Sequence, residues 1–184
     1  MAANKLEFQD SPGYGNKVLP EGIHHITEGE FHDFFCLAFP ASKTRPHIDG
    51  RYADFRRDLT AIIPSHHWVD GSFVENKPDP NDVDVVVWVD GHQLDALPTG
   101  TQDRLEKLCQ TPPRIGKTFY KTDAYLVATY SPEDKRYEKK YKEAWLFWRK
   151  WFGKTREGHP KGMISLNLDM PNNPAPIVPA GWRM

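Results

Sequence analysis

Two aspartates separated by one residue, Asp82 and Asp84 in Pro80-Asn81-Asp82-Val83-Asp84, have the type and spacing that point most directly to chemistry. They open an apolar run, Val85-Val86-Val87-Trp88-Val89, that reads as a buried strand. Side chains at i and i+2 of a strand share a face, so both carboxylates point one way while Val83, Val85 and Val87 point into the opposite layer. At about 6 Å and an effective dielectric near 20, two such charges repel by on the order of 3 kcal/mol, enough to raise one carboxyl pKa by about two. A hard divalent cation relieves that repulsion. An arbitrary Asp-X-Asp is more often a pair of solvated acids where a strand begins; the residues around this pair shift the balance.

Those residues are Trp68-Val69-Asp70-Gly71-Ser72, a short strand running into a tight Gly-Ser turn, with Asp82 ten residues after the serine. A glycine allows a phosphate to approach backbone N–H groups closely, and a hydroxyl beside it donates to a phosphate oxygen. Gly-Ser alone is also an ordinary turn, and its weight comes from the acids that follow. As a further acid beside this pair, Asp70, Asp79, Asp90 and Asp95 rank below Asp123, because Asp79 falls in a loop and Asp90 follows too long a run to share the pocket. Lys77, Arg114, Lys117 and Lys121 are expected in loops adjoining the pocket, where a cation neutralises phosphate charge. Solvated surface lysines are the commoner explanation of such residues. Lys161 in His159-Pro160-Lys161-Gly162 reads as part of a turn, with a phosphate contact as the alternative. The pairs His24-His25 and His66-His67 are read as structural, since neighbours on a strand face opposite ways.

The elements that must position these groups follow from periodicity. Thr27-Glu28-Gly29-Glu30 resembles a capping box opening a helix through Phe31, Phe34, Phe35 and Leu37 that stops at Pro40. A second helix is expected over residues 51–63, with Asp49 as its cap and Tyr52, Phe55, Leu59 and Ile62 inward. A helix over 101–110 would bury Leu105 and Leu108, and residues 122–130 read as a third strand. A long helix is expected from about Pro132 to Phe152, with Tyr141, Trp145, Trp148 and Phe152 on one face and its lysines and arginines wet. The fold class implied is α/β (α+β), a mixed central sheet flanked by helices. Residues 1–22 would form an extended arm, 23–169 the domain and 170–184 a proline-rich tail.

The Gly-Ser turn followed at this distance by alternate acids on a strand resembles the signature of the DNA polymerase β nucleotidyltransferase superfamily. The resemblance implies that Gly71 and Ser72 contact a triphosphate; Lys77, from its place in the following loop, is read as a nucleotide-binding cation beside them. It also implies that Asp82 and Asp84 bind Mg2+ or Mn2+, and that a third acid stands on a neighbouring strand. Asp123, at the start of the 122–130 strand, is the best-placed candidate for that acid. A narrower likeness rests on Leu19-Pro20-Glu21-Gly22-Ile23-His24, the Trp-Val-Asp-Gly-Ser-Phe-Val block with Pro80-Asn81-Asp82-Val83-Asp84, and Phe152-Gly153 with Arg156, Gly158 and Pro160-Lys161-Gly162. These segments look like a poorly characterised bacterial and phage family of nucleotidyltransferase-like proteins. The implied activity is transfer of a nucleoside monophosphate from a nucleoside triphosphate to an acceptor hydroxyl of a protein, an RNA or a small molecule, with a toxin or defence setting. A catalytically inactive nucleotide-sensing or protein-binding module is the competing expectation.

Composition narrows the partners. With 24 basic and 25 acidic residues the net charge is −1, so a polyanion would need a local basic patch. Hydrophobic residues at 39% and charged residues at 27% match ordinary globular usage. Cys36 and Cys109 have no spacing that suggests a metal knuckle or a disulfide, and read as buried or free thiols. The start of the chain lacks an apolar signal core and no run approaches a membrane span, so the sequence predicts a cytoplasmic protein with no membrane partner.

Overall fold

The computed structural model describes residues 6–109 and 115–167. Its centre is a five-stranded mixed sheet in the order β1-β5-β2-β3-β4. The strands are β1 Gly22–Thr27, β2 Ser65–Asp70, β3 Val83–Asp90, β4 Thr122–Thr129 and β5 Gly162–Asn167. The outer pairs β1/β5 and β3/β4 are parallel, whereas β2 runs antiparallel to both β5 and β3. The mixed α/β class expected from periodicity is what the chain adopts.

Alternation along the strands divides the core into two layers. Val83, Val85, Val87 and Val89 of β3 join Val69, Ile164 and Leu166 on one face. That face is covered by α1 (Glu28–His32), the π-helical turn Asp33–Leu37 that continues it, α2 (Arg45–Thr60) and α4 (Thr99–Cys109), through Phe31, Phe35, Tyr52, Phe55, Leu59 and Leu105. Trp68, Val86, Trp88 and Met163 occupy the opposite face, covered by Tyr141, Trp145 and Phe152. The last two belong to α6 (Glu143–Phe152), so the expected aromatic stripe is core, with Trp148 half-buried against Tyr125. The face of Trp68, Val86 and Trp88 also carries the acids, and this layering is what positions the site.

Several expectations need correction. The second helix starts at Arg45, with Pro46 supplying a pre-set φ in its first turn. Asp49 is therefore inside it and is not its cap; its carboxylate binds His32 Nδ1 at 2.6 Å. The helix from Pro132 is shorter than expected: residues 137–142 form a π-helical turn and α6 begins only at Glu143. Strands β1 and β5 were not expected, since β5 lacks long alternation and β1 precedes a strong helix start. That start is as read: Thr27 accepts from the Glu30 N–H while the Glu30 carboxylate accepts from the Thr27 N–H. Two further short helices are α3 (Gly91–Ala96), for which no element was read, and α5 (Ile115–Tyr120), which lies where a loop was expected.

The described part of the N-terminal arm packs on the domain. Val18 and Leu19 are fully buried, and Leu19 accepts a hydrogen bond from the Gly162 N–H. The proline-rich tail of residues 170–184 lies outside the described residues. Among the described residues no helix is long and apolar enough to cross a membrane.

Candidate active site

Strand register assembles the acids. Asp70, the last residue of β2, stands opposite Asp84 on β3, and Asp84 stands opposite Asp123 on β4. Residues opposite one another share a face and neighbouring strands lie about 4.8 Å apart, so the three aspartates form a row across the sheet. The row behind it, Trp68, Val86 and Tyr125, is aromatic and aliphatic. Asp82, two residues before Asp84, joins the cluster from the loop entering β3. The two acids placed together by strand spacing are thus together, Asp123 is beside them, and the lower-ranked Asp70 belongs to the same row.

Electrostatics within the row is uneven. Burial, then the negative charges of Asp82 and Asp123, pushes the Asp84 carboxyl up to about 6. Among the described residues no hydrogen bond or ion pair engages that carboxylate. Asp82 and Asp123 share one cation, Lys117 Nζ, at 3.1 Å and 2.6 Å. Lys117 lies on α5, not in a loop as expected, and its pKa is raised chiefly by the hydrogen bond to Asp123. The helix is brought close by Gly116, where a Cβ would press on the carbonyl oxygens of Leu108 and Thr122. Lys121, which follows α5, adopts a left-handed φ of 55°, and its carbonyl accepts from the Val83 N–H at 2.9 Å, stitching the starts of β3 and β4.

Asp70 is buried deeper and has a different partner. Lys161 Nζ, itself buried, lies 3.0 Å from Asp70 Oδ1 and 2.7 Å from Glu75 Oε1, and donates to the Gly71 carbonyl at 3.3 Å. Burial pushes the Asp70 carboxyl up to about 7, against the pull of Lys161. Burial works to lower the Lys161 pKa, but Asp70 and Glu75 outweigh it and hold the ammonium above its ordinary value. The turn reading of Lys161 is therefore corrected: it is a buried cation joining the start of β5 to the Gly71–Glu75 segment. Tyr14 of the arm donates to the second Glu75 oxygen at 2.7 Å.

The Gly71-Ser72 turn closes over this row. Gly71 has φ 78° and ψ −169°, a conformation open essentially to glycine alone. A Cβ there would overlap Asp84 Oδ2, so the backbone lies directly on the carboxylate. Ser72 starts a single 3-10 turn, Ser72–Val74, which sends Phe73 and Val74 into the core. The loop is held from beneath by Arg45, fully buried, which donates to the carbonyls of Phe73, Glu75 and Lys77 as well as Phe35. Lys77 thus contributes its carbonyl to this clamp, and among the described residues no ion pair ties its ammonium to the acids. Arg114 lies outside the described residues.

The remaining polar candidates are accounted for locally. Asp79 accepts from Ser42 Oγ and the Lys43 N–H, Asp90 caps α3 through the Gln93 N–H, and Asp95 pairs with Arg136. His66 bonds Ser165 Oγ, and His67 bonds Tyr52 Oη and Ser65 Oγ, so this pair is structural as read. Cys36 and Cys109 are both free and buried.

Sequence reasoning undervalued Asp70 and missed the partners of Lys117 and Lys161. Asp70 had a usable signal, since a strand turning back through a Gly-Ser loop places its last residue near the first residues of the next. Nothing local marks Lys161, which lies 91 positions from Asp70 along the chain.

The fold and site define a small α/β domain whose central sheet presents a row of carboxylates beneath a glycine turn. Over residues 12–167 the chain matches the model of a family of unknown function, DUF6932, and it belongs to that family. Neither the curated proteins nor the solved structures contain a match to it.

Proposed function

We propose that the protein is a metal-dependent nucleotidyltransferase, transferring a nucleoside monophosphate from a nucleoside triphosphate to an acceptor hydroxyl. The observation that carries this reading is the Asp84 carboxylate, unpartnered among the described residues, flanked by Asp82 and Asp123 and covered by the bare backbone of Gly71. Oxygen donors in this number suit a hard divalent cation, so Asp82, Asp84 and Asp123 would hold Mg2+ or Mn2+. When bound, such an ion neutralises the triphosphate and stabilises the departing pyrophosphate.

The chain's own residues do the rest. Gly71, lacking a side chain, lets a phosphate reach the backbone, and the Ser72 hydroxyl donates to a phosphate oxygen. Lys77 would add positive charge from the same loop. Asp123 accepts the proton of the acceptor hydroxyl as the acceptor oxygen bonds to the α-phosphorus and pyrophosphate leaves. The acceptor is a protein, an RNA or a small molecule, and the resemblance to bacterial and phage proteins supports a toxin or defence setting.

One observation favours a second reading. The single ammonium of Lys117 bridges Asp82 and Asp123, a partial counter-charge that a nucleotide-sensing or protein-binding module that had lost catalysis could use in place of a metal. Incubating pure protein and lysate with α-labelled ATP, GTP, CTP and UTP and Mg2+ or Mn2+ separates the two. Transfer of label to an acceptor by the parent and not by Asp84→Asn supports the enzyme. Calorimetric nucleotide binding without transfer supports the sensor. Absence of both sinks the nucleotide site.

A further inference from the structure

The layer on the other face of the sheet contains a second cluster, unrelated to the aspartate row. His32 closes α1, Cys36 lies in the π-helical turn that follows, and Asp49 lies in α2. One ligand atom from each, an imidazole nitrogen, the thiol sulfur and a carboxylate oxygen, falls within 4.8 Å of the other two. We infer that His32, Cys36 and Asp49 form a binding site for one four-coordinate transition-metal ion, for which Zn2+ is the best match.

Geometry is close to what the ion needs. Zinc binds nitrogen and carboxylate oxygen at about 2.0–2.2 Å and thiolate at about 2.3 Å, which sets tetrahedral ligand atoms roughly 3.3–3.7 Å apart. His32 Nδ1 and Asp49 Oδ2 now share a hydrogen bond of 2.6 Å. Replacing that proton by an ion opens the pair by less than an ångström, roughly, and draws the sulfur inward by at most about 1.5 Å, within reach of side-chain rotation. The backbone helps: residues 33–37 form a π-helical turn, closed by the Ala38 N–H on the Asp33 carbonyl at 3.0 Å. Such bulges recur at functional sites because they re-aim side chains one turn apart.

The chemistry of the donors selects the ion. A thiolate with an imidazole favours zinc over magnesium or calcium. Thiolate and carboxylate together carry two negative charges, matching a divalent ion, and Arg45, whose charge acts on Cys36, is turned to the carbonyls of Phe35, Phe73, Glu75 and Lys77. Cys36 and Asp49 are 5% and 8% exposed, whereas the His32 side chain is 46% exposed, so the inner ligands are shielded and the site is open to solvent at His32. The ion would bind the end of α1 to α2 one turn from Arg45, the residue that supports the loop over the aspartates. It would therefore brace the site from behind without touching a substrate.

Cobalt titration of chelator-treated full-length protein tests the assignment. Expected is one Co2+ per chain with a sulfur-to-cobalt charge-transfer band and visible bands of four-coordinate intensity, both removed by Zn2+. Cys36→Ser should abolish the charge-transfer band. His32→Ala, at a half-exposed position that folding tolerates, should weaken Co2+ binding at least roughly tenfold, since even changes behind a ligand cost 10–100-fold. Asp84→Asn should leave the band intact. A parent without the band, a band that survives both His32→Ala and Cys36→Ser, or binding lost only in Asp84→Asn would overturn the proposal.

Discussion

Gly71 rests on Asp84: the α-carbon of the turn lies so close to the carboxylate that no side chain fits between them. This contact ties the Gly-Ser turn to the acid row and fixes the first expectation. Gly71→Ala must both relieve an overlap with Asp84 Oδ2 and adopt φ 78°, so it should lose about 1–3 kcal/mol of stability and displace Asp84. Gly50, inside α2 with open space around it, supplies the control: Gly50→Ala should gain about 0.5–1 kcal/mol. Urea midpoints of the two variants test both signs, and a neutral Gly71→Ala would show that the turn is free to move off the acid.

Lys117 is a tethered cation in the place where the acids would hold a metal. Lys117→Met removes it from Asp82 and Asp123 without removing an acid. Metal-free protein should then lose stability through unrelieved repulsion, while Mn2+ should raise the unfolding midpoint more in the variant than in the parent. Equal Mn2+ responses would show that Lys117 and the metal do not compete.

The Asp84 carboxyl gives a pH dependence of definite sign. Its folded pKa of about 6 stands above its ordinary 3.8, so the folded state binds the proton more tightly. The stability this adds is complete below pH 3.8 and is lost as pH rises through about 6, for a total of roughly 3 kcal/mol. Asp70 also shifts upward while Asp58, Asp79 and Asp134 shift downward, so the measurement is the difference between parent and Asp84→Asn. Relative to that variant the parent should gain stability as pH falls from 7.5 to 4.5 without metal. A difference independent of pH would mean that Asp84 is not in a crowded, buried field.

Lys161 joins two buried acids, and removing it strands both. Lys161→Met should cost about 3–5 kcal/mol, the range for breaking a buried ion pair from one side. Replacing Asp70 by Asn in the same background should recover part of that loss, because one uncompensated charge goes with it. A double variant no more stable than Lys161→Met would show that Asp70 is already protonated when Lys161 is absent.

The aromatic layer behind the site divides sharply by burial. Trp145 is fully buried and touches Trp68, so Trp145→Ala should cost about 3–5 kcal/mol. Trp151, 66% exposed on the same helix, should cost almost nothing when truncated. Thermal unfolding of the two variants decides whether α6 is oriented as described.

Much of this architecture was legible along the chain because it rests on local rules. The Thr27 capping box, the alternation from Asp82 to Val89 and the 4-3-4 spacing of Tyr141, Trp145, Trp148 and Phe152 each follow from short-range geometry. They determined the mixed α/β class, the proximity of Asp82 and Asp84 and the burial of the aromatic stripe of the C-terminal helix. Strand order and register were decided only by the tertiary structure, because pairing joins residues far apart in sequence and is selected by packing of whole layers. That register brought Asp123 and the lower-ranked Asp70 into one row with Asp84, and inserted β5 between β1 and β2. It also carried Lys161 under the Gly71 turn, and the packing of α5 set Lys117 between Asp82 and Asp123. Charge patterns could not foretell those pairings, since the worth of a lysine beside an aspartate depends on burial and distance that exist only once the sheet has formed.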